Sequence, residues 1–266
     1  MNALRAAIDA IALIGPGLSG WDEARAVLAG ERAYVAAPTA VPPAVLLPPN
    51  ERRRSGLAVR IALAAGAAAL DASGRDPARL PTVFASSSAD GDTCHAICEQ
   101  LAGDDRLISP TRFHNSVHNA PAGYWSIATR SMAPSTSLCA YDGSFVAGLL
   151  EASALARARG EAVLLIAYDA PYPEPLRAKR PVPDVFGAAL LLSPAASAGS
   201  LAALELSLGA RTPEPLAIPA LEHVRRAIPT ARALPLLRRI ARREAGEDVL
   251  EYLDGLSLAV GVTLCA

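Results

Sequence analysis

Apolar residues along this chain fall into two patterns, and the patterns alternate. Short and almost wholly apolar runs at residues 8–14, 81–86, 162–167 and 185–192 predict buried β-strands. Between them, residues 58–72 and 145–159 carry apolar side chains at helical spacing, and Gly160 ends the second of these helices. The alternation of strands with helices predicts an α/β fold with mainly parallel strand pairing.

One strand–turn–helix unit carries the candidate chemistry. Residues 135–141 predict a buried strand, and Asp142, Gly143 and Ser144 predict a tight turn into the helix at 145–159. The unpaired N–H groups and the positive end of the dipole at a helix N-terminus stabilise an anion, so the unit suits a nucleophile. Aspartate is also a favoured helix N-cap, however, and a carboxylate stabilised in this way is a poor nucleophile toward thioesters.

The same segment resembles the nucleophile segment of the β-ketoacyl synthases, which belong to the thiolase-like superfamily. Their motif runs from Gly-Pro through a few small or apolar residues to Thr-Ala-Cys, and here 133–134 and 140–142 match its two ends. On this alignment, Asp142 stands where the family has its catalytic cysteine. The nearest thiol, Cys139, lies in the predicted strand, where it points sideways into the sheet. The resemblance therefore implies that the chain has no catalytic residue of its own.

The resemblance continues, in the family's order of elements, over about residues 8–208. It implies a thiolase-like α-β-α layered half-fold for residues 1–208, which a shortened C-terminal extension of one helix and one strand, residues 209–266, completes as the same domain. Beyond residue 208 we expect the resemblance to fail, because His223 alone remains there and matches neither of the family's two histidine motifs. A working ketosynthase cannot be assembled from this chain by itself.

A second segment, residues 113–125, is rich in hydrogen-bonding and aromatic side chains for so apolar a chain. It aligns with the ketosynthase stretch that packs at the dimer two-fold axis and reaches toward the neighbouring subunit's pocket. The resemblance therefore implies a substrate-tunnel or interface set of His114, Asn115, His118, Asn119, Tyr124, Trp125 and Cys139. The alternative is a polar segment whose hydrogen bonds are satisfied internally and which has no function.

Two residue pairs have the spacing of metal ligands on one face of a helix. Cys94 with Cys98 and His114 with His118 are each four residues apart, and together they could hold a zinc ion. Structural zinc sites use tighter Cys-x-x-Cys spacing, so we expect no metal, and the resemblance implies no cofactor.

Composition and charge narrow the functional classes. The net charge of −1 argues against nucleic acid as a partner. A hydrophobic content of 52% and a mean hydropathy of +0.26 favour a well-covered sheet or a large partner interface. We expect no membrane span, since the uncharged stretch at 185–204 contains proline, glycine and serine. Four cysteines and no secretory signal favour a cytoplasmic protein with reduced thiols.

These features lead to one principal hypothesis and two alternatives. The chain resembles the short chain-length factors associated with aryl polyene pathways, which implies a non-catalytic subunit that pairs with an active β-ketoacyl-ACP synthase and shapes its acyl tunnel. The acyl carrier protein would be an indirect partner. The first alternative is an independent acyl-thioester transferase or hydrolase that uses Cys139 or Ser144, and the second is a homodimeric scaffold or binding protein. The arginine-rich tail could dock an acidic carrier protein, although a solvated charged face is the default expectation.

Overall fold

The computed structural model describes residues 3–265. Its strands, all in one sheet, are β1 (Leu4–Gly15), β2 (Leu18–Ser19), β3 (Thr82–Ala85), β4 (Ser135–Leu138), β5 (Val163–Asp169), β6 (Phe186–Ser193), β7 (Ala202–Gly209), β8 (Gly246–Leu253) and β9 (Leu256–Leu264). Its helices are α1 (Trp21–Ala29), α2 (Pro49–Arg54), α3 (Leu57–Ser73), α4 (Gly91–Ala102), α5 (Pro110–Asn115), α6 (Ala120–Thr129), α7 (Ser144–Arg159), α8 (Leu176–Lys179), α9 (Pro219–Ala227) and α10 (Leu234–Ala241). Short 3₁₀ helices occupy Pro77–Arg79 and Pro229–Ala233.

The sheet is mixed, and most of its pairing is antiparallel. The strand order is β4-β3-β5-β6-β1-β7-β9-β8, with β2 paired to β1. Only β3 with β4 and β3 with β5 pair in parallel within residues 3–265. The expectation of mainly parallel pairing is therefore wrong. The expectation assumed that helices connect parallel strands throughout, but the chain makes only two such connections among residues 3–265. The remaining strands of the main sheet join in antiparallel pairs, in the order β5-β6-β1-β7-β9-β8.

Helices cover both faces of the sheet and form the expected three layers. Every residue of β5 and β6 is buried, so these central strands need apolar partners on both sides. On one face they pack against α3 and α6, and on the other against α7 and the 3₁₀ helix Pro229–Ala233. The α-β-α arrangement predicted from the sequence is confirmed.

The strand β4 differs from its prediction. It ends at Leu138 rather than Tyr141, and none of its four residues is fully buried. Within residues 3–265 it pairs only with β3, so it forms one edge of the sheet. Its sequence of three polar residues and one leucine suits an edge better than a core. The strand is therefore shorter and less buried than predicted.

The C-terminal extension contains more regular structure than predicted. Instead of one helix and one strand, it contributes α9, the second 3₁₀ helix, α10 and the hairpin of β8 with β9. The strand β8 escaped prediction because Glu247, Asp248 and Glu251 interrupt its apolar pattern, as an outer strand allows. None of the helices in the described part of the chain combines the length and apolar character needed to cross a bilayer.

The packing of α3 on the sheet generates a stability prediction. A Cβ atom added at Gly66 would lie 2.6 Å from Trp125 Cζ3 and 2.7 Å from Ile166 Cδ1. We expect Gly66→Ala to lower the free energy of unfolding by about 1–3 kcal/mol, measured by urea denaturation, because overpacking outweighs the gain in helix propensity. The matched control is Gly123→Ala in α6, where no described atom lies within 4 Å of the added Cβ. The control should raise stability by about 0.5–1 kcal/mol, and equal effects at both positions would contradict this packing.

Candidate functional site

The segment between β4 and α7, residues 139–143, forms a tight turn that we term the Asp142 turn. Two hydrogen bonds close it, from Gly143 N to Ala140 O at 2.9 Å and from Ser144 N to Tyr141 O at 3.2 Å. Tyr141 has a positive φ of 50°, a conformation that non-glycine residues adopt mainly under local constraint. A sharp, strained strand-to-helix turn is the backbone feature that presents a nucleophile in hydrolase folds. Here its strained residue is a tyrosine, and Asp142 follows it.

The carboxylate of Asp142 lies between two guanidinium groups. Its Oδ1 accepts a hydrogen bond from Arg180 Nη2 at 2.6 Å, and its Oδ2 accepts one from Arg232 Nη2 at 3.4 Å. The guanidinium of Arg180 also lies 3.7 Å above the ring of Tyr141, and its Nε donates to the Tyr172 hydroxyl at 3.3 Å. Burial disfavours the charged form of Arg180, but these hydrogen bonds outweigh burial and raise its pKa. Asp142 is thus held as a paired carboxylate.

The pairing extends into the C-terminal extension as a chain of alternating charges. Arg232 Nε lies 3.3 Å from Glu251 Oε2, which also lies 3.3 Å from Arg225 Nη1. Arg225, only 4% exposed, makes two 2.7 Å hydrogen bonds to Glu222 and lowers the pKa of that carboxyl to about 2. Several arginines of the tail are therefore internal ion-pair partners. The default expectation of a solvated basic face is wrong for Arg225, and for Arg232 and Arg239, which are largely buried.

A cleft of about 630 Å³ opens beside the Asp142 turn. The turn forms one wall, and residues 210–213 and 251–257 of the C-terminal extension form much of the other. Gly143 contacts this second wall closely, since a Cβ there would lie 2.4 Å from Tyr252 O. The extension thus packs directly against the place where the family holds its nucleophile.

The two other candidate nucleophiles differ in their surroundings, since one is buried and the other is exposed. Ser144 is 1% exposed, its Oγ donates to Tyr141 O at 2.6 Å, and it accepts from Ala140 N at 3.0 Å. This hydroxyl stabilises the turn. Cys139 was expected inside the strand, but it follows the end of β4 and is exposed, with its Sγ 3.6 Å from Ser87 O.

The segment 113–125 divides into a buried part and an exposed part. Asn115, Tyr124 and Trp125 are buried. Tyr124 OH donates to Asn115 Oδ1 at 3.0 Å, and Asn115 Nδ2 donates to Arg54 O at 2.9 Å. The ring of Trp125 packs edge-on against Phe84 in the core beneath α3. These three side chains support the segment from inside.

The exposed part of the segment lines a shallow cavity of about 380 Å³ between α5 and α6. Its lining comprises Pro110, Phe113, His114, Val117, Asn119, Ala120 and Gly123. Burial lowers the pKa of nearby His118, and neither ring nitrogen of His118 has a hydrogen-bond partner among residues 3–265. The structure therefore brings His114 and Asn119 together at one surface, apart from Cys139 and the Asp142 turn.

The proposed zinc ligands do not form a cluster. Within residues 3–265, no group of three or more His, Cys, Asp or Glu side chains has metal-binding geometry. Cys94 Sγ instead lies 3.8 Å from Ser116 O, and burial raises the pKa of its thiol.

Comparison with protein families gives one match, to the N-terminal domain of β-ketoacyl synthases, over residues 23–240. The chain belongs to this family. The match crosses residue 208 and includes α9 and most of α10, so the expectation that the resemblance fails beyond residue 208 is wrong. No individual curated protein matches the chain.

Three solved complexes contain chains with the same fold. The ketosynthase ApeO in complex with its chain length factor ApeC from Xenorhabdus doucetiae matches with 24% identity and a TM-score of 0.74, over 97% of this chain and 99% of that chain. The ishigamide ketosynthase/chain length factor matches with 14% identity and a TM-score of 0.71, over 98% and 99%. The type II polyketide complex AntDE:AntF matches with 12% identity and a TM-score of 0.73, over 98% and 99%. At these identities the matches establish a shared fold.

Sequence reasoning found Asp142 but missed the residues that neutralise it. Arg180 comes from the proline-rich excursion at 171–183, and Arg232 and Glu251 come from the extension. No spacing in the sequence links these positions, because they meet only through the sheet topology. The only sequence feature that could have pointed to these residues is that they are charged while their neighbours are mostly apolar or proline.

The geometry of the turn predicts that the chain forms no covalent acyl intermediate. After incubation with an acyl thioester, we expect intact-protein mass spectrometry to show an unchanged mass, because Asp142 is ion-paired and Ser144 is buried and hydrogen-bonded. A Cys139→Ser variant controls for chemical acylation of the exposed thiol. A stable adduct that maps to Ser144, or one at Cys139 that depends on the folded state, would contradict the prediction.

Proposed function

We propose that this chain is a non-catalytic, chain-length-factor-like subunit that pairs with an active β-ketoacyl-ACP synthase and shapes its acyl tunnel. The observation that carries the proposal is the Asp142 carboxylate, held between Arg180 and Arg232 where the alignment places the family's thiol. Two ion pairs stabilise this carboxylate and make it a poor nucleophile toward a thioester. The chain would therefore contribute shape and contacts, while the partner supplies the cysteine and histidines.

The edge of the sheet supports a protein partner. The unpaired edge of β4 can continue the sheet into a second subunit through backbone hydrogen bonds. Large apolar side chains are exposed on the neighbouring elements: Met132 just before β4, Ile127 in α6 and Phe113 in α5. Their exposed fractions of 95%, 45% and 64% are high for side chains of this size, which favours an interface. Among the solved structures of the same fold, ApeO is in complex with its chain length factor ApeC, and AntDE:AntF is an acyl-carrier protein in complex with its ketosynthase.

The cavity between α5 and α6 is the best candidate for the tunnel-facing surface. Phe113 and Val117 give it apolar walls, and His114 and Asn119 add polar groups at its rim. The resemblance to ketosynthases implies that this segment reaches toward the partner's pocket. We keep the tunnel or interface set predicted from the sequence. His114 and Asn119 line the cavity, with His118 nearby, and Asn115, Tyr124 and Trp125 form the core that supports them. Cys139 would lie on the β4 side of the interface.

Further parts of the proposal follow from pairing with such an enzyme. The substrate would be a growing acyl or polyenoyl chain attached to an acyl carrier protein, which contacts this chain indirectly. We place the complex in the cytoplasm, consistent with four cysteines that form no disulfide within residues 3–265. Residues 1–208 and the extension at 209–266 would act as one domain, because β7 and β9 pair along their length. A homodimer through the same edge is the alternative assembly.

The partner proposal predicts the behaviour of the chain on expression. Alone, we expect it to aggregate or self-associate through β4 and the exposed side chains around it. Co-expressed with its cognate ketosynthase, it should elute as a 1:1 complex, identified by native mass spectrometry. Met132→Asp should weaken that complex, whereas Leu208→Asp, at an exposed position of β7, serves as the control. A stable monomer that ignores the ketosynthase would rule out the pairing.

The tunnel proposal predicts an effect on product length. Gly123 lines the cavity and has open space at its Cβ, so Gly123→Phe should fill the cavity without disturbing α6, unlike an enlargement of the buried Ala120. We expect the complex carrying Gly123→Phe to release shorter products at an unchanged condensation rate, measured by liquid chromatography and mass spectrometry.

The control for that experiment is Ala154→Phe on the exposed side of α7, away from the cavity. It should leave the product distribution unchanged. Unaltered product lengths with Gly123→Phe, in a complex that still forms, would show that this cavity does not shape the tunnel.

A further inference from the structure

A second aspartate, which takes no part in the ion pairs of the Asp142 turn, is the most deeply buried acidic or basic side chain among residues 3–265. Asp169 ends β5 and has no exposed surface. Its Oδ1 accepts hydrogen bonds from Ser87 N at 2.9 Å and Ser87 Oγ at 2.6 Å. Its Oδ2 accepts hydrogen bonds from Thr230 N at 2.8 Å and Thr230 Oγ1 at 2.6 Å. Four donors satisfy a carboxyl group that would otherwise be costly to bury.

These four hydrogen bonds join two parts of the chain that are far apart in sequence. Ser87 lies in the loop after β3, and Thr230 lies in the 3₁₀ helix Pro229–Ala233 of the C-terminal extension. Burial raises the pKa of Asp169, whereas its four hydrogen bonds act to lower it. The Asp169 side chain, at the end of β5, therefore joins the loop after β3 to the C-terminal extension.

Both bridged segments also reach the Asp142 turn. Cys139 Sγ, at the start of the turn, lies 3.6 Å from Ser87 O. Arg232 lies two positions after Thr230 in the same 3₁₀ helix and donates to Asp142 at the other end of the turn. Both ends of the Asp142 turn are therefore connected to Asp169. Cys139 is connected through Ser87, and Asp142 is connected through Arg232 and Thr230.

We propose that Asp169 is a positioning residue that fixes the 3₁₀ helix Pro229–Ala233 so that Arg232 is held against Asp142. A short 3₁₀ helix has poor internal hydrogen-bond geometry and depends on outside contacts for its position. Two buried hydrogen bonds at Thr230 supply such contacts, and Arg232 lies only two positions further along the same 3₁₀ helix. Through the contacts of Thr230 with Asp169 and of Arg232 with Asp142, the extension keeps the Asp142 turn ordered. The inference does not depend on the proposed function.

The test compares three threonine variants in the full-length chain, in whichever purified assembly it forms. Thr230→Val removes the hydroxyl with little change in shape, and Thr230→Ser retains it. Thr263→Val makes the same chemical change at an exposed position of β9. The measurement is hydrogen–deuterium exchange of the peptide that covers residues 139–147, with a peptide from α3 as the internal reference.

If Asp169 positions Arg232, Thr230→Val should speed exchange in the 139–147 peptide by about fivefold relative to the reference. Thr230→Ser and Thr263→Val should match the native protein. Arg232→Gln should speed exchange in the same peptide. The double variant that also carries Thr230→Val should exchange no faster than Arg232→Gln alone, because both changes act on the same Arg232–Asp142 contact.

Other outcomes overturn the proposal. Unchanged exchange at 139–147 in Thr230→Val, with faster exchange confined to residues 228–234, would show that the bridge is local. A uniform increase across all peptides would show that Asp169 supports overall stability rather than the position of Arg232. Additive effects of Thr230→Val and Arg232→Gln would show two independent contacts.

Discussion

Coverage of the central sheet on both faces is the constraint that organises this molecule. The strands β5 and β6 are buried along their whole length, so each face needs a complete apolar layer. On one face α3 and α6 supply it. On the other, α7 cannot cover the sheet alone, and the 3₁₀ helix Pro229–Ala233 and α10 from the C-terminal extension complete the layer. The extension is therefore part of the core, and it also forms one wall of the cleft beside the Asp142 turn.

That packing explains the chemistry of the Asp142 turn. Arg232 comes from the helical layer of the extension and Glu251 from β8, so burying the sheet also brings their charges to the turn. A carboxylate at the N-terminal end of α7 is compatible with the helix dipole and is further neutralised by two guanidinium groups. The turn keeps the strained backbone of a nucleophile site at Tyr141, while its polar groups are used in internal pairs.

The sequence predicted the layered fold well because buried strands and amphipathic helices have distinct periodicities. The prediction failed where strand pairing depends on contacts between distant segments rather than on the local residue pattern. The connection lengths around β6 and β1 do not reveal antiparallel pairing, and the polar residues of β4 and β8 conceal strands that lie at or near the edges of the sheet. For the candidate site, Asp142 could be found from its position in a motif. Arg180, Arg232 and Asp169 could not, since their roles depend on contacts between segments separated by 38 to 90 residues.

The proposal that this subunit supplies shape and no chemistry can be tested on the condensation reaction of the complex itself. The condensation rate of the 1:1 complex would be measured with Asp142→Asn and Cys139→Ser combined in this chain, and separately with the partner's nucleophilic cysteine replaced by alanine. The account predicts that the first complex condenses at the native rate and that the second is inactive. Loss of condensation in the first complex, with the complex itself intact, would contradict the account, as would residual condensation in the second.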